Sequence, residues 1–80
     1  MKRLGIALLG AGRMGKEHAK ALAGIPEAQV VAVADPRKEA REEARFLARA
    51  ERAYAEAEAA IADPGVEAVV IVTPPTPTRP

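Results

Sequence analysis

Gly10-Ala11-Gly12-Arg13-Met14-Gly15 decides the fold of this 80-residue chain. The stretch follows a run of apolar residues and precedes a segment with helical periodicity. Its first glycine allows a tight turn out of a strand, its second lets a ligand approach the backbone closely, and its third lets a helix pack against the strand. The spacing therefore predicts a strand–loop–helix unit whose loop binds a pyrophosphate, through free N–H groups near Arg13 and Met14.

Asp35 supplies the second half of this pattern. It stands twenty residues after Gly15, at the end of a second β-branched run, where dinucleotide-binding units carry the acid that bonds the adenosine ribose. Asp35 followed by Pro36 is also typical of a helix N-cap, and one carboxylate could fill both roles. Arg37 and Lys38 follow this Asp-Pro pair. They are predicted either to bind a ribose 2′-phosphate or to be solvated residues in the first turn of the next helix. The pattern predicts NAD as the cofactor and leaves NADP open.

Strands and helices alternate along the rest of the chain. The pattern predicts strands at Leu4–Leu9, Val30–Ala34, Arg52–Tyr54 and Ala68–Val72, and helices at Arg13–Ala23, Asp35 to about Arg49, and Ala55–Ala62. Residues 51–54 could instead extend the second helix, because alanine and glutamate favour helix, but the alternation favours a strand. The expected fold is α/β: a partial doubly wound (Rossmann) parallel sheet of about four strands in the order 3-2-1-4, with three helices.

The helices have predicted inner faces. In the first helix, Met14, Ala19 and Leu22 are expected to point inward. His18 shares the face of Met14 and Leu22, so it is expected to be a partly buried structural histidine rather than a catalytic one. In the second helix the predicted buried stripe consists of alanines and one leucine, at Ala40, Ala44, Leu47 and Ala48.

Composition excludes several classes of function. A net charge of +1, from 12 basic and 11 acidic residues, gives no case for binding nucleic acid or an anionic membrane. No apolar run approaches the roughly 18 residues of a membrane span. The chain lacks cysteine and has one histidine, which excludes disulfides and makes a zinc site implausible. We expect a cytoplasmic protein, and the absence of serine and asparagine suits a thermophile or a GC-rich genome.

Thr73 and Pro74 follow the fourth strand, and the predicted topology brings them to the crevice beside the loop Gly10–Gly15. They are expected to contact the cofactor, or else only to terminate the strand. Residues 1–75 then form an incomplete dinucleotide-binding domain, and residues 76–80 form a proline-rich tail. Because the fourth strand is left at an edge, we expect self-association there or binding of a complementary polypeptide.

Together these residues resemble the N-terminal domain of the glucose–fructose oxidoreductase/inositol dehydrogenase (Gfo/Idh/MocA) family. The resemblance covers essentially the whole chain and rests on residues 5–15, His18, residues 31–36, Asp63-Pro64 and residues 69–74. It implies NAD(P)-dependent oxidation or reduction at a carbon of a sugar, cyclitol or related polyol. It also implies a separate substrate domain, a catalytic lysine and a catalytic histidine. None of these three features is found among the 80 residues of this sequence. We therefore expect cofactor binding without catalysis, and assign no catalytic residue.

Two other functions stay open at this point. Methyltransferases that use S-adenosylmethionine also place a glycine-rich loop after the first strand and an acid after the second. Gly15 and the Thr73-Pro74 pair favour a dinucleotide instead. The missing catalytic lysine leaves a non-enzymatic nucleotide-binding or interaction module from a truncated gene as the second alternative. Equilibrium binding of NAD and S-adenosylmethionine separates the first alternative from the prediction.

Overall fold

The computed structural model describes residues 3–72. Its seven elements are β1 (Leu4–Leu9), α1 (Arg13–Ala23), β2 (Ala28–Ala34), α2 (Lys38–Ala48), β3 (Arg52–Tyr54), α3 (Ala57–Ile61) and β4 (Ala68–Ile71). The strands form one parallel sheet in the order β3-β2-β1-β4. The predicted α/β class, strand order and number of helices are therefore confirmed.

Element bounds agree with the sequence except near loops. β1, α1 and β3 have the predicted bounds, whereas β2 begins earlier because Ala28 already pairs with Leu4. The second helix was predicted to open at Asp35, and this was wrong: α2 begins at Lys38 with Arg37 as its N-cap in an extended conformation. The delay arises because the Asp35 carboxylate accepts a hydrogen bond from the Arg37 N–H at 2.9 Å, which closes a turn before the helix begins.

Two layers of core lie on the two faces of the sheet. Alternate side chains of β1 and β2 point to opposite faces. Leu8, Val30 and Val33 pack with α1 and α2 on one face, while a second cluster including Ala7 and Ala60 lies beneath α3 on the other. The helices present mostly alanine to the sheet. Three of the four predicted α2 core positions are fully buried and Leu47 is half-buried, which confirms that stripe.

The buried side of α1 differs from the predicted one. Gly15 and Ala19 are buried, Leu22 is half-buried, and Met14 and His18 are exposed. The physical reason is Gly15. Without a side chain, its side of the helix packs directly against the β1–α1 loop, and residues four and seven positions later follow it inward. Met14 is therefore not a core residue, and His18 is not partly buried.

A buried carboxylate joins the turn after α3 to β3. Asp63, just after α3, accepts hydrogen bonds from Arg52 Nε (2.5 Å) and Nη2 (2.9 Å), from the Tyr54 hydroxyl (2.8 Å) and from the Gly65 N–H (2.9 Å). The bonds from Arg52, then that from Gly65, hold the pKa of Asp63 well below its usual range despite burial. Since the pKa is depressed by folding, this carboxylate stabilises the fold at neutral pH and loses that contribution only in strong acid.

Candidate functional site

A cleft of about 400 Å³ lies at the carboxyl ends of β1, β2 and β4. This is where the strand order reverses, because β1 lies between β2 and β4, and ligands of open α/β sheets bind at such a point. Its volume falls within the range of roughly 300–1,000 Å³ of small-molecule sites. The residues that line the cleft are Gly10, Gly12, Arg13, Met14, Gly15, Asp35, Arg37 and Val72.

The structure thus brings together most of the residues predicted for the site. Ala11 is also present but is fully buried beneath the cleft, where its N–H meets Asp35. Met14, expected both at the site and in the core, lines the cleft with half of its surface exposed. Thr73 and Pro74 lie outside the described residues.

Two of the three loop glycines are required by the protein's own packing. Gly10 has φ = +100°, a conformation that L side chains rarely adopt, and a Cβ there would overlap the carbonyl oxygen of Val72. A Cβ at Gly15 would overlap the carbonyl oxygen of Gly10. Together these contacts hold the loop, the start of α1 and the end of β4 close together.

Gly12 is different, because the fold has no need of a glycine there. Its backbone is extended (φ −72°, ψ −162°), which any residue can adopt. A Cβ at this position would have one close neighbour, the mobile end of the Arg37 side chain, with Nη2 at 3.2 Å. The missing side chain therefore leaves room above the beginning of α1, which the end of the flexible Arg37 side chain approaches.

The beginning of α1 is suited to an anion. Gly12 is its N-cap and supplies no side-chain cap, and the first turn contains no acidic residue. The N–H groups of the first turn have no carbonyl partner within a helix, and the helix dipole adds positive potential there. Arg13, exposed at the rim of the cleft, adds a full positive charge.

Asp35 is the buried acid of the cleft, with 6% of its surface exposed. Its Oδ2 accepts a hydrogen bond from the Ala11 N–H at 2.9 Å, and its Oδ1 accepts one from the Arg37 N–H at 2.9 Å. The first bond links the glycine loop to the end of β2, and the second fixes the turn before α2. Asp35 therefore organises both loops that border the cleft.

The Arg37 side chain folds back onto the same carboxylate. Its Nε donates to Oδ1 of Asp35 at 3.1 Å and its Nη2 donates to Oδ2 at 3.4 Å, although 66% of the side chain is exposed. Burial by itself raises the pKa of Asp35, but the bonds from Arg37 and Ala11 outweigh it and hold that pKa below its ordinary value. The carboxylate is therefore charged at neutral pH and acts as an acceptor of hydrogen bonds.

Sequence reasoning missed this ion pair. It treated Arg37 as either a phosphate ligand or a solvated side chain, and Asp35 as a ribose ligand, a helix cap or both. An aspartate that turns back to a basic residue two positions later is a recognisable Asx turn, and that spacing was the available signal. Lys38, the other basic residue considered, is exposed at the start of α2.

Other site types find no support in the described part of the chain. Within residues 3–72, no group of three or more His, Cys, Asp or Glu side chains is placed to hold a metal ion. Over the same residues, no helix combines the length and the apolar character needed to cross a membrane.

Comparison with known proteins decides the family. The profile of Gfo/Idh/MocA proteins, described as an oxidoreductase family with an NAD-binding Rossmann fold, matches residues 4–79. The chain belongs to this family. The resemblance seen in the sequence is thereby confirmed, as are the Rossmann fold and NAD as the cofactor of this domain.

Individual relatives agree in both sequence and structure. The chain is 47% identical over 72 residues to an inositol 2-dehydrogenase of Streptomyces avermitilis. It superimposes on GenD2 from gentamicin A biosynthesis, which was solved in complex with NAD, with a TM-score of 0.82 and 32% sequence identity. This superposition covers 92% of the present chain. The TM-score is 0.81, at 27% identity and 91% coverage of this chain, for a scyllo-inositol dehydrogenase of Lactobacillus casei solved with NAD(H) and scyllo-inositol.

The chain spans about a fifth of the length of these relatives. It covers 21% of the Streptomyces dehydrogenase, 21% of GenD2 and 22% of the Lactobacillus enzyme. The comparisons therefore concern the cofactor-binding domain.

Proposed function

We propose that this chain is the cofactor-binding part of an NAD-dependent oxidoreductase that acts on cyclitols or related polyols. When bound, NAD supplies a hydride acceptor at its nicotinamide ring. The observation that carries the proposal is the room left by the missing side chain of Gly12, which lies at the first turn of α1 and shares one cleft with the Asp35 carboxylate. The polyol class comes from the relatives named inositol dehydrogenases.

Each part of the cleft suits one part of a dinucleotide. The N–H groups at the start of α1 suit the pyrophosphate, which needs donors and positive potential. The charged carboxylate of Asp35 suits the ribose hydroxyls, which are donors. Arg37 suits a 2′-phosphate, so NADP is a second possible cofactor. Thr73 and Pro74, which follow Val72 at the rim, are proposed to complete the site.

The proposal assigns cofactor binding to these residues and leaves catalysis to others. Oxidation of an alcohol needs a group that accepts the hydroxyl proton near the nicotinamide. Among the residues described as lining the cleft, Asp35 is the one carboxylate, and its oxygens are already bonded to Arg37 and Ala11. Its structural engagement makes it unsuited to transfer protons.

The direct test is binding of NAD(H) to the purified chain. We expect a dissociation constant of roughly 10 µM to 1 mM for these 80 residues, because they include the loop and the ribose acid but span about a fifth of the length of their relatives. Isothermal titration calorimetry with NAD, NADH and S-adenosylmethionine measures this. Absence of heat with either dinucleotide up to millimolar concentration would contradict the proposal, and tighter binding of S-adenosylmethionine would favour the methyltransferase alternative.

Replacing Asp35 tests which dinucleotide the cleft prefers. We expect the unmodified chain to favour NAD, since the 2′-phosphate of NADP meets a carboxylate. Asp35→Ser is expected to shift the ratio of the two affinities by about tenfold toward NADP, because Arg37 is then free to bind the phosphate. Serine keeps one oxygen that can accept the Ala11 N–H bond.

The matched control is Glu39→Ser, which removes an exposed carboxylate from the first turn of α2. It should leave the ratio of NAD to NADP affinity within about twofold, since Glu39 does not line the cleft and interactions between exposed charges are screened by salt. If Asp35→Ser also leaves the ratio unchanged, Asp35 serves the loops and not the ribose.

We propose further that the chain self-associates through β4. Val69 and Ile71 are 39% and 68% exposed; they pair with Ala7 and Leu9 and so lie on the α3 face of the sheet, outside the core cluster that α3 covers. Within residues 3–72, β4 pairs with β1 on one side and with no strand on the other, and its sequence Ala68–Ile71 has no charge to discourage pairing. We expect dimers or larger species by sedimentation at high concentration, and monomer for Ile71→Lys. A monodisperse monomer of the unmodified chain would refute this.

A further inference from the structure

The carboxylate of Asp35 is fully occupied in the free protein. A carboxylate offers about four lone-pair positions. Here two are taken by the N–H groups of Ala11 and Arg37, and two by Nε and Nη2 of the Arg37 guanidinium. A ribose that donates two hydroxyl hydrogen bonds therefore finds no free position on this carboxylate.

The two pairs of donors differ in how easily they can leave. The backbone N–H groups belong to loops fixed by packing, whereas the guanidinium belongs to a side chain that is 66% exposed. The guanidinium also extends toward the glycine loop, since its Nη2 lies 3.2 Å from the position of a Cβ on Gly12. It therefore occupies the space between the ribose acid and the pyrophosphate loop.

We propose that Arg37 sets the choice of cofactor by covering the Asp35 carboxylate until a dinucleotide displaces it. This inference rests on the proposed function. When NAD binds, two ribose hydroxyls take the two positions that the guanidinium leaves, so NAD binding has to break this ion pair. When NADP binds, the released guanidinium pairs with the 2′-phosphate and compensates its repulsion from Asp35. One side chain thus weakens NAD binding and permits NADP binding.

Arg37→Met removes the guanidinium and keeps the length of the side chain. Because the Arg37 side chain of this pair is 66% exposed and can be displaced at small cost, we expect NAD to bind about three- to fivefold more tightly. We expect NADP to bind about tenfold more weakly, because a charge-assisted contact to the phosphate is lost. Arg37→Lys, which keeps the charge without the planar fork, should give intermediate values for both.

Arg45→Met is the matched control. It removes the same charge from α2 at a residue paired with the exposed Glu42, away from the cleft. Both affinities should stay within about twofold of those of the unmodified chain. Circular dichroism of the three variants confirms that each is folded before calorimetry.

The outcomes separate this inference from the proposed function. If the unmodified chain binds neither dinucleotide, the proposed function fails and the inference fails with it. If the chain binds NAD but Arg37→Met lowers the affinities for NAD and NADP equally, Arg37 contacts a part that the two dinucleotides share, and the inference is wrong. Unchanged affinities overturn it as well. Independently of any cofactor, carbon-13 NMR should show the pKa of Asp35 rising in Arg37→Met, and an unchanged pKa would show that the ion pair does not exist.

Discussion

Gly12→Val is expected to abolish NAD binding while the protein stays folded. The valine side chain fills the room that the missing side chain of Gly12 leaves at the start of α1, where the proposed pyrophosphate site lies. Each charge-assisted hydrogen bond from a backbone N–H is worth about 1.5–3 kcal/mol. Losing two of them corresponds to a drop in affinity of at least about 100-fold. Calorimetry should then detect no binding up to millimolar NAD.

The folded state should tolerate this substitution. Valine can adopt the extended backbone of Gly12, and the Arg37 guanidinium near its Cβ is free to move. The expected loss of stability is about 1 kcal/mol, because valine is a poorer N-cap than glycine. Urea denaturation followed by circular dichroism measures it. If Gly12→Val binds NAD like the unmodified chain, the pyrophosphate does not lie on this loop, whatever else the cleft binds.

The sequence predicted the elements well because each is dominated by local signals. Continuous apolar runs identified β1 and β4, and the glycine and proline residues after Ala23 ended α1 where expected. β3, the ambiguous strand, forms because it can pair with the end of β2, from Ala32 to Ala34. The alternation of strands and helices therefore overrode the helical preference of alanine and glutamate in this segment.

The errors came from contacts that helical periodicity and capping preferences do not include. Helical periodicity placed Met14 in the core, but the close approach of Gly15 to the Gly10 carbonyl rotates α1 so that Met14 faces the cleft. The capping signal at Asp35 was real in composition, yet the carboxylate is used by Ala11 and Arg37 instead of the helix. The first correction follows from a backbone contact inside the glycine loop, and the second from several donors that compete for one carboxylate.

The Asp63 cluster, which joins the turn after α3 to β3, also could not be predicted from the sequence. In the sequence, Asp63 directly follows the predicted helix Ala55–Ala62, but its bonds to Arg52 and Tyr54 depend on β3 lying beside the turn after α3. Those partners are nine and eleven residues away and lie on a strand whose existence was uncertain from sequence. A buried carboxylate of this kind is identified from the structure, because the sequence shows the acidic residue but not which groups donate hydrogen bonds to it.

Gly12 and Gly15 are the glycines of the loop that do not have a positive φ. Of the two, replacement by alanine should destabilise the fold more at Gly15. Alanine is favoured over glycine in a helix by about 1 kcal/mol. At this position, however, the added Cβ overlaps the Gly10 carbonyl oxygen and lies 2.8 Å from its carbon. Backbone atoms of a loop that is itself packed on β4 cannot move aside cheaply. We therefore expect the overlap to outweigh the propensity and to cost about 3 kcal/mol net.

A loss of that size is a large share of the stability of such a small domain, which is typically about 0.05–0.15 kcal/mol per residue. The melting temperature should fall by more than about 10 °C. Gly24→Ala is the matched control: Gly24 has φ −88°, and a Cβ there would meet the Ala21 carbonyl oxygen at an ordinary 3.6 Å. It should leave stability unchanged or raise it by up to about 1 kcal/mol. If Gly15→Ala and Gly24→Ala have the same melting temperature, close packing of α1 on the loop does not require glycine at position 15. The assignment of Gly15 to folding and of Gly12 to binding then fails.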